Sequence, residues 1–105
     1  MNINVSTGAA AWFKRELALE QGDYIRLFPR YSSGGGLHPG FSLGLAVEMP
    51  GRPAVKILQD GITFYMEEQD LWYMDGHDLS IVYSETEDDI EYRYEALSLP
   101  GSKLQ

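Results

Sequence analysis

Again and again the sequence returns to a period of two. In "DYIRLFPRY", Tyr24, Arg26, Phe28 and Arg30 alternate with Ile25, Leu27, Pro29 and Tyr31. In "FSLGLAVEM", Phe41, Leu43, Leu45 and Val47 alternate with Ser42, Gly44, Ala46 and Glu48. Successive side chains of a strand point to opposite faces, so both stretches predict half-buried strands. Pro29 has no N–H to give a ladder and places that end at an edge or a bulge. The small residues of the second stretch would let something pack closely on their face. "AVKILQDGITFYME" reads as two strands joined at Asp60-Gly61, a dipeptide that tolerates the positive φ of a tight hairpin. "LSIVYSE" and "IEYRYEAL" are the last two strands, hinged at "TEDD", and Ile3 to Ser6 is a short first one.

A period of 3.6 is confined to two places. In "TGAAAWFKRELALEQG", Ala9, Phe13 and Leu17 repeat at i, i+4 and i+8, with Ala10 and Trp12 beside them, which predicts an amphipathic helix. Ser6 or Thr7 can cap its start and Gly22 is the expected stop. Glu67 to Met74 predicts a short second helix, with Gly76 of "DGHD" as its cap. In 105 residues there is room for one core. The expected architecture is α+β: a small, mainly β, sandwich-like domain over residues 1–97, with one early and one short second helix, then a flexible C-terminal tail over 98–105.

The formal net charge of -8 is unevenly spread: from Asp60 onward 12 acidic residues face two basic ones, and before it six basic residues outnumber four acidic ones. A nucleic-acid binder clusters Lys and Arg against phosphates, so neither nucleic acid nor an anionic membrane is an expected partner. No run of roughly 18 apolar residues occurs and the N-terminus does not read as a leader, so a cytoplasmic protein is expected. With no cysteine, the chain has no disulfide, thiolate metal site or cysteine nucleophile.

In order and spacing these elements resemble the HesB-like family, the A-type iron–sulfur carrier proteins. The likeness runs from "INVSTGAAAWFKREL" to the strand around Tyr92. That family opens with a strand, an Ala-rich helix and a strand whose end carries an Arg, similar here to Ile3 to Ser6, Ala9 to Leu19 and Tyr24 to Arg30. "GGGLHPGFSLGL" is similar to the family's Gly-rich loop and the strand that follows it. "ITFYMEEQDLWYMDGHDLSIVY" is similar to its strand, short helix, Asp-Gly ending and hydrophobic strand. The resemblance implies the fold and argues against the carrier activity. Members that carry iron or clusters use a Cys in the loop and a Cys-Gly-Cys pair near the C-terminus. Here Ser33 to Gly36 are only Ser and Gly, the loop is longer, and Leu97 to Gln105 holds no Cys. Neither residue replaces a soft sulfur donor, so a cysteine-free branch with no iron–sulfur cluster and no cofactor is expected.

Other candidate sites draw on the remaining chemistry. Backbone N–H groups of Gly34, Gly35 and Gly36, with Arg30 and His38 beside them, could cradle an anion, or the glycines could simply connect two strands. The P-loop Lys and the spaced glycines of a dinucleotide motif are missing. His38 and His77 with Asp75 or Asp78 suit a divalent metal, whereas Asp and Gly in "DGHD" are also ordinary turn residues. Ser32 and Ser33 lack a nucleophile-elbow pattern, and the acidic run Glu85 to Glu91 lacks EF-hand spacing and reads as a solvated hairpin tip. Tyr65, Trp72, Tyr73, Tyr83, Tyr92 and Tyr94 supply core, with some left for a homodimer or a protein-binding face. The expected role is non-catalytic: an accessory or protein-interaction domain. The alternative is small-ligand or metal binding through the Gly-rich loop.

Overall fold

A computed structural model describes residues 1–33 and 36–97, so Gly34, Gly35 and the expected tail over 98–105 lie outside the described residues. The alternating stretches are strands: β1 Ile3–Val5, β2 Tyr24–Tyr31, β3 Phe41–Val47, β4 Pro53–Gln59, β5 Ile62–Glu67, β6 His77–Ser84 and β7 Asp89–Ala96. They form a four-stranded sheet in the order β3-β2-β5-β4 and a three-stranded one in the order β1-β6-β7. β1 runs parallel to β6 and β2 parallel to β5, and the other pairs are antiparallel. The architecture is thus the expected α+β one.

The period of two places Ile25 and Leu27 of β2, Ile62, Phe64 and Met66 of β5, and Leu79 and Ile81 of β6 in one core. Helix α1, Thr7–Leu17, adds Ala9, Ala10 and Phe13, all fully buried, and the Phe13 ring meets Phe64 at 5.2 Å. Paired alanines bring the helix backbone close to the sheet, and Phe13 fills the space between them. The β4–β5 turn is as read: Asp60 at φ 52° and Gly61 at φ 82° are both left-handed, which matches the twist of a tight hairpin. Pro29 is paired to β3, but β5 runs beside β2 only from Tyr24 to Arg26. Past Arg26 that flank of β2 is an edge, as Pro29 requires.

One boundary differs from expectation. Ser6 caps α1, its Oγ accepting the Ala9 N–H at 3.0 Å, but the helix stops at Leu17 rather than running on to Gly22. Ala18 takes the left-handed conformation at φ 52° and the Leu19 N–H reaches back to the Lys14 carbonyl at 3.0 Å. This is a Schellman closure with alanine where glycine is usual. Leu19 packs against the core, and that anchor compensates for the strained Ala18. Ala18→Gly is therefore expected to stabilise the protein by about 1 kcal/mol. A higher urea midpoint at unchanged slope checks it, and an unchanged or lowered midpoint would contradict it.

The sheet face away from the core is partly covered. Tyr65 points to it beside Arg26 and Lys56, yet is fully buried, because Tyr24 stacks edge-on at 6.4 Å and the Tyr65 hydroxyl donates to the Glu48 carbonyl at 2.7 Å. On β3, Ser42, Gly44 and Ala46 do admit a close neighbour. The Phe28 ring and the Arg30 stem lie against Gly44, where a Cβ would overlap both.

Candidate functional site

Two clusters hold the unusual chemistry, and a single 3-10 helix, Glu68–Met74, contributes to both. Its placement follows from Glu67, whose carboxylate accepts the Gly51 and Arg52 N–H groups at 2.6 and 2.5 Å and ties the end of β5 to the β3–β4 loop.

In the first cluster Asp70 of that helix reaches Arg26 on β2. Arg26 Nη2 donates to Asp70 Oδ2 at 2.6 Å and Nη1 to Glu48 at 3.3 Å, with both Arg26 and Asp70 largely buried. The guanidinium lies 5.3 Å from the centre of the Phe28 ring. The hydrogen bond to Asp70 raises the Arg26 pKa further above its ordinary value, against the opposing effect of burial. Arg26, Gly51, Arg52, Glu67, Glu68 and Gln69 line a cleft of about 570 Å³ here. Arg26 is held by Asp70 and Glu48, and Glu67 by the Gly51 and Arg52 amides, which makes the cleft a structural joint between sheet and helix.

The second cluster lies under Gly36, Leu37 and His38. Tyr73 is completely buried and its hydroxyl accepts the Leu37 N–H at 2.9 Å. Gly36 is pressed so closely onto the Phe41 carbonyl and the Tyr73 hydroxyl that a Cβ has no room. His38 packs between Trp72 and Tyr73, at centroid distances of 5.9 and 5.3 Å, and its Nε2 is buried with no hydrogen-bond partner among the described residues. Phe41 meets Trp72 at 5.3 Å and Tyr31 at 5.0 Å. Trp72 remains 50% exposed beside a second cleft of about 490 Å³, lined by Met1, Leu71, Met74, Asp75, Gly76 and Leu97 as well.

The structure gives the candidates grouped from sequence different surroundings. Arg30 is exposed on the outer sheet face with its stem over Gly44, while His38 sits among aromatic rings. His77 Nδ1 is 2.8 Å from the Asp75 carbonyl, and Asp78 Oδ1 accepts the Asn2 N–H at 2.7 Å. Among the described residues no three or more His, Asp or Glu side chains converge as a metal site would need. Sequence reading missed the roles of Tyr73 as the clamp of the loop and of Asp70 as the partner of Arg26. Asp70 carried a signal, being the acid that opens the otherwise apolar "DLWYM" run.

Behind Tyr73, β7 supplies Tyr94 at 6.3 Å and, further along, Tyr92. Burial pushes the Tyr92 phenol up to about 12, with Asp89 adding to it. Burial also raises Tyr94, helped by its hydrogen bond with Tyr73. The folded protein thus keeps protons that the unfolded chain sheds above about pH 10. This stability is fully present below about pH 10 and is lost as pH rises from there through the raised folded values. Denaturant midpoints are expected to fall across that window, and less steeply in Tyr92→Phe. Identical slopes for both proteins would rule out this assignment.

Comparison with solved structures identifies the class. The fold matches Escherichia coli SufA, a protein involved in biosynthesis of iron–sulfur clusters, with a TM-score of 0.55 over 91% of this chain and 86% of that one, at 16% sequence identity. The chain has the fold of the A-type carriers and holds no cysteine. No family model matches it. Curated relatives do. Over 95 residues it is 45% identical to the pyruvate dehydrogenase inhibitor of Bacillus subtilis, spanning 90% of this chain and 100% of that protein. It is 35% identical to an uncharacterized protein of Staphylococcus saprophyticus and 30% identical to one of Staphylococcus aureus, each over 88% of this chain and 97% of the relative. The chain belongs to the family that these proteins form. Among the described residues no helix is long and apolar enough to cross a membrane.

Proposed function

We propose that this protein inhibits pyruvate dehydrogenase by binding to it, as a non-catalytic cytoplasmic interaction domain in which no cofactor takes part. The observation that carries the reading is the 45% identity to the Bacillus subtilis inhibitor along that protein's whole length. The geometry supports a contact mechanism. Gly36 and Leu37 are clamped onto Tyr73, and Trp72 stands half-exposed at the rim of an apolar cleft with Leu71, Met74 and Leu97. A tryptophan beside a small apolar cleft is the kind of anchor that dominates protein interfaces.

Purified protein added to the Bacillus subtilis pyruvate dehydrogenase complex is expected to lower its steady-state rate to a saturating limit. Trp72→Ala is expected to weaken inhibition roughly thirtyfold, the loss of one anchoring residue at about 2 kcal/mol. Unchanged enzyme rate at saturating protein would refute the reading, and full inhibition by Trp72→Ala would move the contact elsewhere.

One observation favours a second reading, a small ligand or divalent metal at the loop: the buried, unpartnered Nε2 of His38. Zinc or iron bound near one per chain and lost in His38→Ala would establish it. Metal-free protein that gains no thermal stability on adding either ion would dismiss its metal form.

A further inference from the structure

A two-sheet fold has four edge strands, and unpaired edges invite pairing with other chains. Three of those here are blunted. β1 is only three residues long. β7 sets Asp89, Glu91, Arg93 and Glu95 at alternate exposed positions. β4 opens with Pro53, breaks register between Pro53 and Val55, and carries Lys56. β3 has none of these devices. Its seven residues, Phe41–Val47, carry no charge and no proline and pair with β2 in unbroken register, and no described strand lies on its other side.

The order of residues along β3 says what covers it. "FSLGLAV" reads the same in both directions by chemistry: apolar, small, Leu, Gly, Leu, small, apolar. We infer that β3 pairs antiparallel with β3 of a second copy about a two-fold axis at Gly44. An isologous contact sets residue i against residue j and j against i. Phe41 then faces the partner's Val47, Ser42 faces Ala46, Leu43 faces Leu45 and Gly44 faces Gly44. Exposed apolar residues cluster at the two ends of the seam: Tyr31, 86% exposed, beside Phe41, and Val47 and Met49, 54% and 75% exposed. The two-fold axis brings one end of each copy onto the other end of its partner.

Electrostatics permits the contact despite the net charge of -8. The acidic hairpin from Glu85 to Asp89 belongs to the other sheet. The charge nearest the seam is Glu48, one residue past β3, and the two-fold axis sets it opposite the partner's Gly40 and about 27 Å along the seam from its own counterpart. Arg26 and Arg30 on β2 lie three strand spacings or about 14 Å from their counterparts. Both separations exceed the roughly 8 Å screening length of physiological salt. The result is one continuous eight-stranded sheet, β4-β5-β2-β3 followed by its mirror order. This inference does not depend on the proposed target.

The test uses sedimentation equilibrium on the full chain and two double variants at the residues set opposite each other. Wild type is expected to be a dimer. In S42E/A46E, carboxylates oppose each other across the seam at two symmetry-related places, which is expected to raise the dimer dissociation constant roughly tenfold or more. In S42E/A46K a carboxylate faces an ammonium at both places, and dimerisation is expected to return. A monomeric wild type, an S42E/A46E protein that dimerises like wild type, or a folded S42E/A46K protein no tighter than S42E/A46E would each overturn the inference. β3 amides protected from hydrogen exchange only when the dehydrogenase is added to a monomer would overturn it too, assigning the edge to another protein.

Discussion

Alanine at Asp70 is expected to destabilise the protein by about 3 kcal/mol, because it leaves the Arg26 guanidinium largely buried without its main acceptor. Glu48 remains, but it bonds at 3.3 Å from a half-exposed position and offsets little of the loss. Removing both partners is expected to cost less. In Arg26→Met/Asp70→Leu no charge is left stranded, and apolar side chains of similar size take the place of the pair. Urea midpoints of the single and double variants measure the difference. A double variant no more stable than Asp70→Ala would mean that the ion pair itself, rather than the orphaned charge, holds the 3-10 helix to the sheet.

Tyr73→Ala is expected to cost about 4 kcal/mol, the usual consequence of emptying a fully buried aromatic site. For a domain whose total stability is of the order of 5–15 kcal/mol this leaves little in reserve. Tyr73→Phe separates packing from the clamp. It keeps the ring but removes the oxygen that accepts the Leu37 N–H and bonds Tyr94, so a loss of about 1.5 kcal/mol is expected. The Leu37 amide is expected to exchange with solvent much faster in Tyr73→Phe, while core amides such as that of Phe64 change only with global stability. Equal acceleration at both would show that the hydroxyl does not restrain the loop locally.

How far the sequence revealed this protein depended on the range of the interaction concerned. Strands, the β4–β5 turn and the Ser6 cap are decided by neighbours within a few residues, and the alternation around Ile25 and Phe64 or the Asp60-Gly61 pair states them openly. The end of α1 was misjudged because Leu19 is held by the distant core, which keeps Ala18 in a conformation glycine would usually take. Arg26 and Asp70 lie 44 positions apart, and nothing local in either says that they meet. Nearness in sequence, for Arg30 and His38, or likeness of chemistry, for His38 and His77, does not say what surrounds each side chain. The alternation of strand faces sends Arg30 to the outer sheet surface, and the aromatic rings hold His38 beneath the loop. The A-type fold was legible because order and spacing of elements survive where individual ligands do not.

The tight seat of Gly36 bears on what this scaffold could become. A protein engineer wishing to turn it into a cluster carrier would first think of restoring a thiolate in the Gly-rich loop. At Gly36 no side chain fits while the Tyr73 clamp is closed, so a cysteine there would have to break the loop open to exist at all. Ser33, exposed on the same loop, is the more accommodating starting point. Such a conversion requires redesigning how the loop is anchored before any ligand is added.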